Sequence, residues 1–103
     1  MRQEDLVALQ HVLSAGVSPD TVCAFEYFLY FPEEPLADLA AQALREVGYH
    51  TEVEPVLDGS WQVVVYATHR PDPNELERRV NFLEQLADSF GGEYDGWGVP
   101  IQR

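Results

Sequence analysis

No lysine occurs in this chain, and its sulfur is confined to one cysteine and one methionine. Without lysine, six arginines stand against 18 acids, for a net charge of −12 at pH 7. A surface so acidic repels phosphate backbones, which argues against direct binding to nucleic acid. It attracts and steers a basic protein partner instead. Cys23 has no second cysteine to pair with, and its place inside an apolar run reads as a small buried hydrophobe. No apolar run reaches the ~18 residues that a membrane span needs. The opening "MRQEDLVALQ" has acids where a signal peptide carries basic residues and then an apolar stretch. The expected setting is the cytoplasm, off the membrane.

Catalytic constellations are scarce too. His11, His50 and His69 stand far apart, and none is spaced with another histidine or with Cys23 as metal ligands are. They read as surface or strand-end residues. Ser14, Ser18, Ser60 and Ser89 lack the elbow motif of a serine hydrolase. The glycine-rich "GGEYDGWG", residues 91 to 98, follows a helix instead of opening one, and its acids repel phosphate. No metal, no cofactor and no enzymatic activity are expected.

What is present is enough for a core. The 103 residues are 46% hydrophobic and 12% aromatic, which fits one folded domain over residues 1–103. Leu6, Leu9 and Leu13 fall at helical spacing over residues 4–14, with Gly16 as a stop. "TVCAFEYFLYF", residues 21–31, reads as a strand apolar on both faces except at Glu26, and so as a central one covered on both sides. Leu36, Leu39, Ala40, Ala43, Leu44 and Val47 line one face of a helix that Pro35 opens and Gly48 closes. "YHTEVEPVL" reads as an edge strand because of Pro55, and Asp58-Gly59 turns it antiparallel into "SWQVVVYAT". Asp72, Pro73 and Glu75 form a capping-box start for a helix over residues 73–90. Leu76, Val80, Leu83, Ala87 and Phe90 mark its inner face, widened by Phe82 and Leu86, and "EYDGWGVPI" supplies a last short strand.

The order is a helix and then β-α-β-β-α-β. The expected fold is α+β and ferredoxin-like: a split β-α-β (βαββαβ) with a four-stranded antiparallel sheet, both helices on one face, and an extra N-terminal helix. The first and third strands are then central, and the fourth lies at the edge beside the first. The N-terminal helix is free to cover part of the open sheet face.

That topology sets Glu93, Tyr94, Asp95 and Trp97 beside Glu26, and these five are the candidate protein-binding residues. Trp97 fits either a sheet cap or a contact anchor, while Trp61 beside "VVVY" reads as near-core. Glu26, Glu93 and Asp95 converging would instead allow acid/base work, and Glu26, Phe28 and Tyr66 with the terminal acids would make a small-molecule or catalytic site. A homodimer closing the open face is compatible with either.

Read after "FEYFLYFPEE" and "REVGY", the run "EYDGWG", Glu93 to Gly98, resembles the family of regulator of ribonuclease E activity B. The resemblance follows the segment order of about the whole chain, with its strongest local identity near the end. It implies a ferredoxin-like fold with an added N-terminal helix. It also implies a protein partner, the RNA-cleaving endonuclease ribonuclease E or a related basic RNA-processing enzyme, inhibited by binding and not by catalysis.

Overall fold

The computed structural model describes residues 7, 9–11 and 21–100. Four strands, β1 (Cys23–Phe31), β2 (His50–Pro55), β3 (Trp61–His69) and β4 (Glu93–Gly98), alternate with two helices, α1 (Glu34–Glu46) and α2 (Pro73–Ser89). The sheet is antiparallel with strand order β2-β3-β1-β4. The first and third strands are central, as their aromatic and β-branched content requires, and the Pro55 strand is at an edge. Val7, Leu9, Gln10 and His11 are helical. The remainder of the helix expected over residues 4–14 lies outside the described residues, as does Gly16.

Alternation along β1 sorts the chain into two faces. Phe25, Tyr27, Leu29 and Phe31 are buried, while Glu26, Phe28 and Tyr30 are half-buried. The buried set shares one apolar cluster with Val63 and Val65 of β3, with Ala37, Ala40, Ala41 and Leu44 of α1, and with Leu76, Val80, Leu83 and Ala87 of α2. Both helices therefore cover the same face. Leu9, 2% exposed, joins that cluster. The N-terminal segment at Leu9 is thus tied to the helical side and not, as its sequence left open, to the bare face.

Two expectations about packing are corrected. A strand apolar on both sides reads as covered twice, yet the helices α1 and α2 cover β1 on one face only. Phe28 and Tyr30, on the other face, are only half-buried. The α1 face is also rotated from its expected setting: Leu39 and Val47 are 53% and 61% exposed, and Ala37 and Ala41 are buried instead. At about 100° per residue, Leu39 points away from both of those alanines. Small alanines let the helix approach a sheet surface already filled by Phe25, Tyr27 and Phe31.

Helix ends agree closely with the sequence. Tyr49 N–H donates to Leu44 C=O and Gly48 N–H to Arg45 C=O, each at 3.0 Å, which closes α1 with a Schellman motif. The Asp72 carboxylate accepts from the N–H groups of Asn74 and Glu75 at 2.7 and 3.2 Å and caps α2. The reciprocal half of the capping box is absent. Glu75 turns to Arg79 at 2.8 Å and to Arg78 instead.

Candidate functional site

The face of the sheet away from α1 and α2, bare among the described residues, is built from three rows that the strand registers fix. Gly98, Glu26, Tyr66 and His50 form one row, and Gly96, Phe28, Val64 and Glu52 the next. Glu93, Tyr30, Gln62 and Glu54 complete it. Phe28 and Val64 make an apolar centre, with tyrosines on either side and carboxylates toward the rims. Gln62 donates to the Tyr30 hydroxyl at 2.8 Å, and the Tyr66 hydroxyl donates to Glu52 at 3.0 Å. Burial and then Glu52 push the Tyr66 phenol above its ordinary pKa, so it stays a donor. His50 lies 3.9 Å from the same Glu52 carboxylate.

The "EYDGWG" segment explains itself through an irregularity in β4. Tyr94 pairs with Leu29 and Gly96 with Phe28, so Asp95 is an extra residue at a β-bulge. One inserted residue flips the rest of the strand to the other face. Tyr94 and Trp97 consequently both face the helices, opposite Leu29 and Tyr27, and pack against the core. The Trp97 ring lies 5.5 Å from Phe25. Gly96 adopts φ +137°, a conformation that side chains strongly disfavour.

The five candidate residues are therefore divided by the sheet. Glu26 and Glu93 share the bare face, Asp95 is exposed at the bulge, and Tyr94 and Trp97 lie half-buried on the helical side. Glu26 and Glu93 stand opposite Gly98 and Tyr30, four residues apart along β1, or ~13 Å at strand rise. They do not converge, so the acid/base arrangement that the expected strand order allowed is not formed. Among the described residues no group of three or more His, Cys, Asp or Glu is placed to hold a metal. No described helix is long and apolar enough to cross a membrane.

Sequence reasoning missed two polar arrangements. His69, expected as a surface or strand-end residue, does end β3 but is not at the surface, being 6% exposed. Its Nδ1 lies 2.7 Å from the Arg70 carbonyl, which only accepts, so Nδ1 carries the proton. Nε2 then accepts from the Tyr27 hydroxyl at 2.6 Å, and the ring stacks on Phe25 at 4.0 Å. Burial holds this imidazole below its usual pKa, and the neutral form is fully hydrogen-bonded. The parity Val63, Val65, Ala67, His69 was the available signal, because these four share the buried face of β3.

The second is Arg79, which donates to Glu75 and to the Tyr49 hydroxyl, each at 2.9 Å. Burial opposes ionisation of Glu75, but Arg79 and Arg78 outweigh it and hold the carboxyl below its usual range. Arg79 and Tyr49 line a groove of about 690 Å³ with Val47, Tyr66 and Phe82, and this groove includes neither Glu26 nor Glu93. Cys23, expected to be buried, is only half-buried.

Comparison with known proteins places this geometry in a family. Residues 2–99 match the family described as Regulator of ribonuclease activity B. The protein of that name from Proteus mirabilis is 28% identical over 103 residues, covering 95% of this chain and 72% of the relative. Those from Escherichia coli and Shigella flexneri are each 27% identical over 104 residues, covering 95% of this chain and 75% of each relative. With the match running through all four strands and both helices, the chain belongs to the Regulator of ribonuclease activity B family.

Proposed function

We propose that this chain is a protein-interaction module that binds a ribonuclease of the ribonuclease E type and inhibits it by occupying its surface, with no turnover of its own. The family match over residues 2–99 carries the reading. The relatives are named as regulators of ribonuclease activity, and a net charge of −12 suits a basic protein partner and repels the RNA that the enzyme cuts. The β-α-β-β-α-β order with β1 and β3 central supports a ferredoxin-like split β-α-β arrangement, built as one domain. Glu26, Glu93 and Asp95 supply the contact, while Tyr94 and Trp97 hold β4 in place from beneath. A partner of this kind puts the chain in the cytoplasm.

Inhibition is then stoichiometric. In a titration of purified protein into ribonuclease E cleaving a defined RNA, the rate falls until the protein saturates the enzyme and then stays flat. Raising salt slows association, since exposed charges are screened beyond ~8 Å at physiological ionic strength. The absence of both binding and inhibition at low salt would refute the reading.

A further inference from the structure

The bare sheet face has a notch beside Glu26. Gly96 and Gly98 are the β4 members of the rows that hold Phe28 and Glu26, so no side chain stands next to either on that side. A Cβ added at Gly96 or Gly98 would meet nothing within 4 Å among the described residues, which leaves open space above both. The floor is the β4 backbone, with Phe28 paired beside Gly96 and Glu26 beside Gly98 on the same face. Further out on the same face lie Glu52, Glu54 and Glu93. None of the positions in the three rows is an arginine, and His50 is the one residue there able to carry positive charge. The four acids thus meet no fixed cation from the sheet, around an apolar centre too aromatic to be a merely solvated surface.

We propose that this face docks an arginine-rich segment of a protein partner, one arginine lying in the notch over Gly96 and Gly98 with its guanidinium on the Phe28 ring and paired to Glu26. Charge complementarity selects a cation, and the surroundings select arginine over lysine. A guanidinium is planar, stacks on aromatic rings and is weakly hydrated, so it loses less on entering a half-buried site. It also grips one carboxylate through two parallel hydrogen bonds. The remaining arginines of the segment meet Glu52, Glu54 and Glu93 at the rims. This inference rests on the preceding reading only in taking the occupant to be a protein.

The test uses the full chain and three labelled eight-residue peptides that alternate serine with arginine, lysine or glutamate. The arginine peptide binds, the lysine peptide binds about tenfold more weakly, and the glutamate peptide does not bind, as expected for one stacked, doubly hydrogen-bonded contact. Gly98→Leu fills the notch at a position with open space and no positive φ, so it keeps its melting curve and loses about tenfold or more in affinity. Glu26→Gln preserves shape and gives a similar loss, which serves should Gly98→Leu fold poorly. Glu46→Gln removes an equal charge from α1 and changes affinity by no more than about twofold, as expected for a distant exposed charge. Equal losses at Glu46 and Glu26 overturn the inference, because net charge alone would then explain binding. So does a folded Gly98→Leu protein that still binds the arginine peptide as wild type does, an outcome that leaves the regulator reading intact. Conversely, notch-dependent arginine binding with no affinity for the ribonuclease sustains the inference and sinks that reading. A dimer that Gly98→Leu dissociates, or an RNA oligonucleotide held at this face, assigns it to another occupant and overturns the proposal.

Discussion

Gly92 sits where the chain leaves α2 and turns into β4, and replacing it with alanine is the sharpest test of how the terminal motif is built. An added Cβ would lie 2.4 Å from Cδ1 of Phe31 and 2.5 Å from the carbonyl oxygen of Tyr30. Neither neighbour has room to give. Phe31 is 1% exposed, and the Tyr30 oxygen belongs to the backbone of a central strand. Overpacking of this kind costs ~1–3 kcal/mol, and a backbone obstacle puts the site at the upper end. The ~0.4–1 kcal/mol that alanine gains by restricting the unfolded chain does not offset it. At ~4–8 °C per kcal/mol for a domain of this size, a ~3 kcal/mol loss lowers Tm by ~12–24 °C. Two neighbours calibrate the result. Gly96→Ala costs ~1 kcal/mol or more through its positive φ alone, and Gly98→Ala stays within ~0.5 kcal/mol. Thermal melts followed by circular dichroism rank the three variants. A Gly92→Ala protein that melts within ~2 °C of wild type, or a Gly98→Ala protein that falls as far, refutes the close approach of β4 to β1.

The rotated face of α1 predicts that Leu44→Ala costs ~2–5 kcal/mol, while Leu39→Ala stays within ~0.5 kcal/mol in urea unfolding; similar losses at both would restore the face expected from sequence. Asp72→Ala removes the cap of α2 and costs ~1 kcal/mol, whereas Asp72→Asn keeps most of it. For His69, burial lowers the folded-state pKa below the unfolded ~6.5, so the folded state binds fewer protons. Its contribution is fully present above pH ~6.5 and is lost as pH falls through the lower folded value. An NMR titration of the ring with a midpoint at or above ~6.5 counts against the neutral Tyr27–His69–Arg70 arrangement.

Element order, strand centrality and both helix stops were legible because each rests on local chemistry. Gly48 after Val47 and Gly59 after Asp58 act through their own backbones, and Asp72 ahead of Pro73 and Asp58 before Gly59 act through carboxylates that reach neighbouring groups two or three residues on. The phase of α1 was not legible, because leucines at 36, 39 and 44 outweigh alanines on any hydrophobicity count. The actual choice depended on how much space the rings of β1 leave. Glu26 was readable both as an interruption in an aromatic strand and as a member of the open face, because the β-α-β-β-α-β order already puts both helices on the other side; Phe28 and Tyr30 share that face and are half-buried. The division of Glu93 and Tyr94 from one another comes from plain alternation. That of Tyr94 and Trp97, placed on the same face although three apart, needs the bulge, and no propensity scale announces an extra residue.

That bulge links the two halves of the site. With regular pairing through β4, Trp97 would emerge on the bare face, and Gly96 would fall beneath the sheet opposite the helices. The core would lose a ring beside Phe25 at its edge, and the bare face would gain a large side chain where Glu26 and Phe28 now have open space. Inserting Asp95 reverses both at once. The aromatic residues of the motif go under the sheet to seal the core, and its last two glycines come out on top to leave Glu26 approachable. Gly96 is obligatory for the turn of the backbone, whereas Gly98 is not, since neither φ nor packing forbids a side chain there. A glycine that the fold does not require is more informative than one that it does. Its absence of a side chain is the feature that a partner's arginine would use, and the contrast between Gly96 and Gly98 separates what the motif does for the fold from what it does for binding.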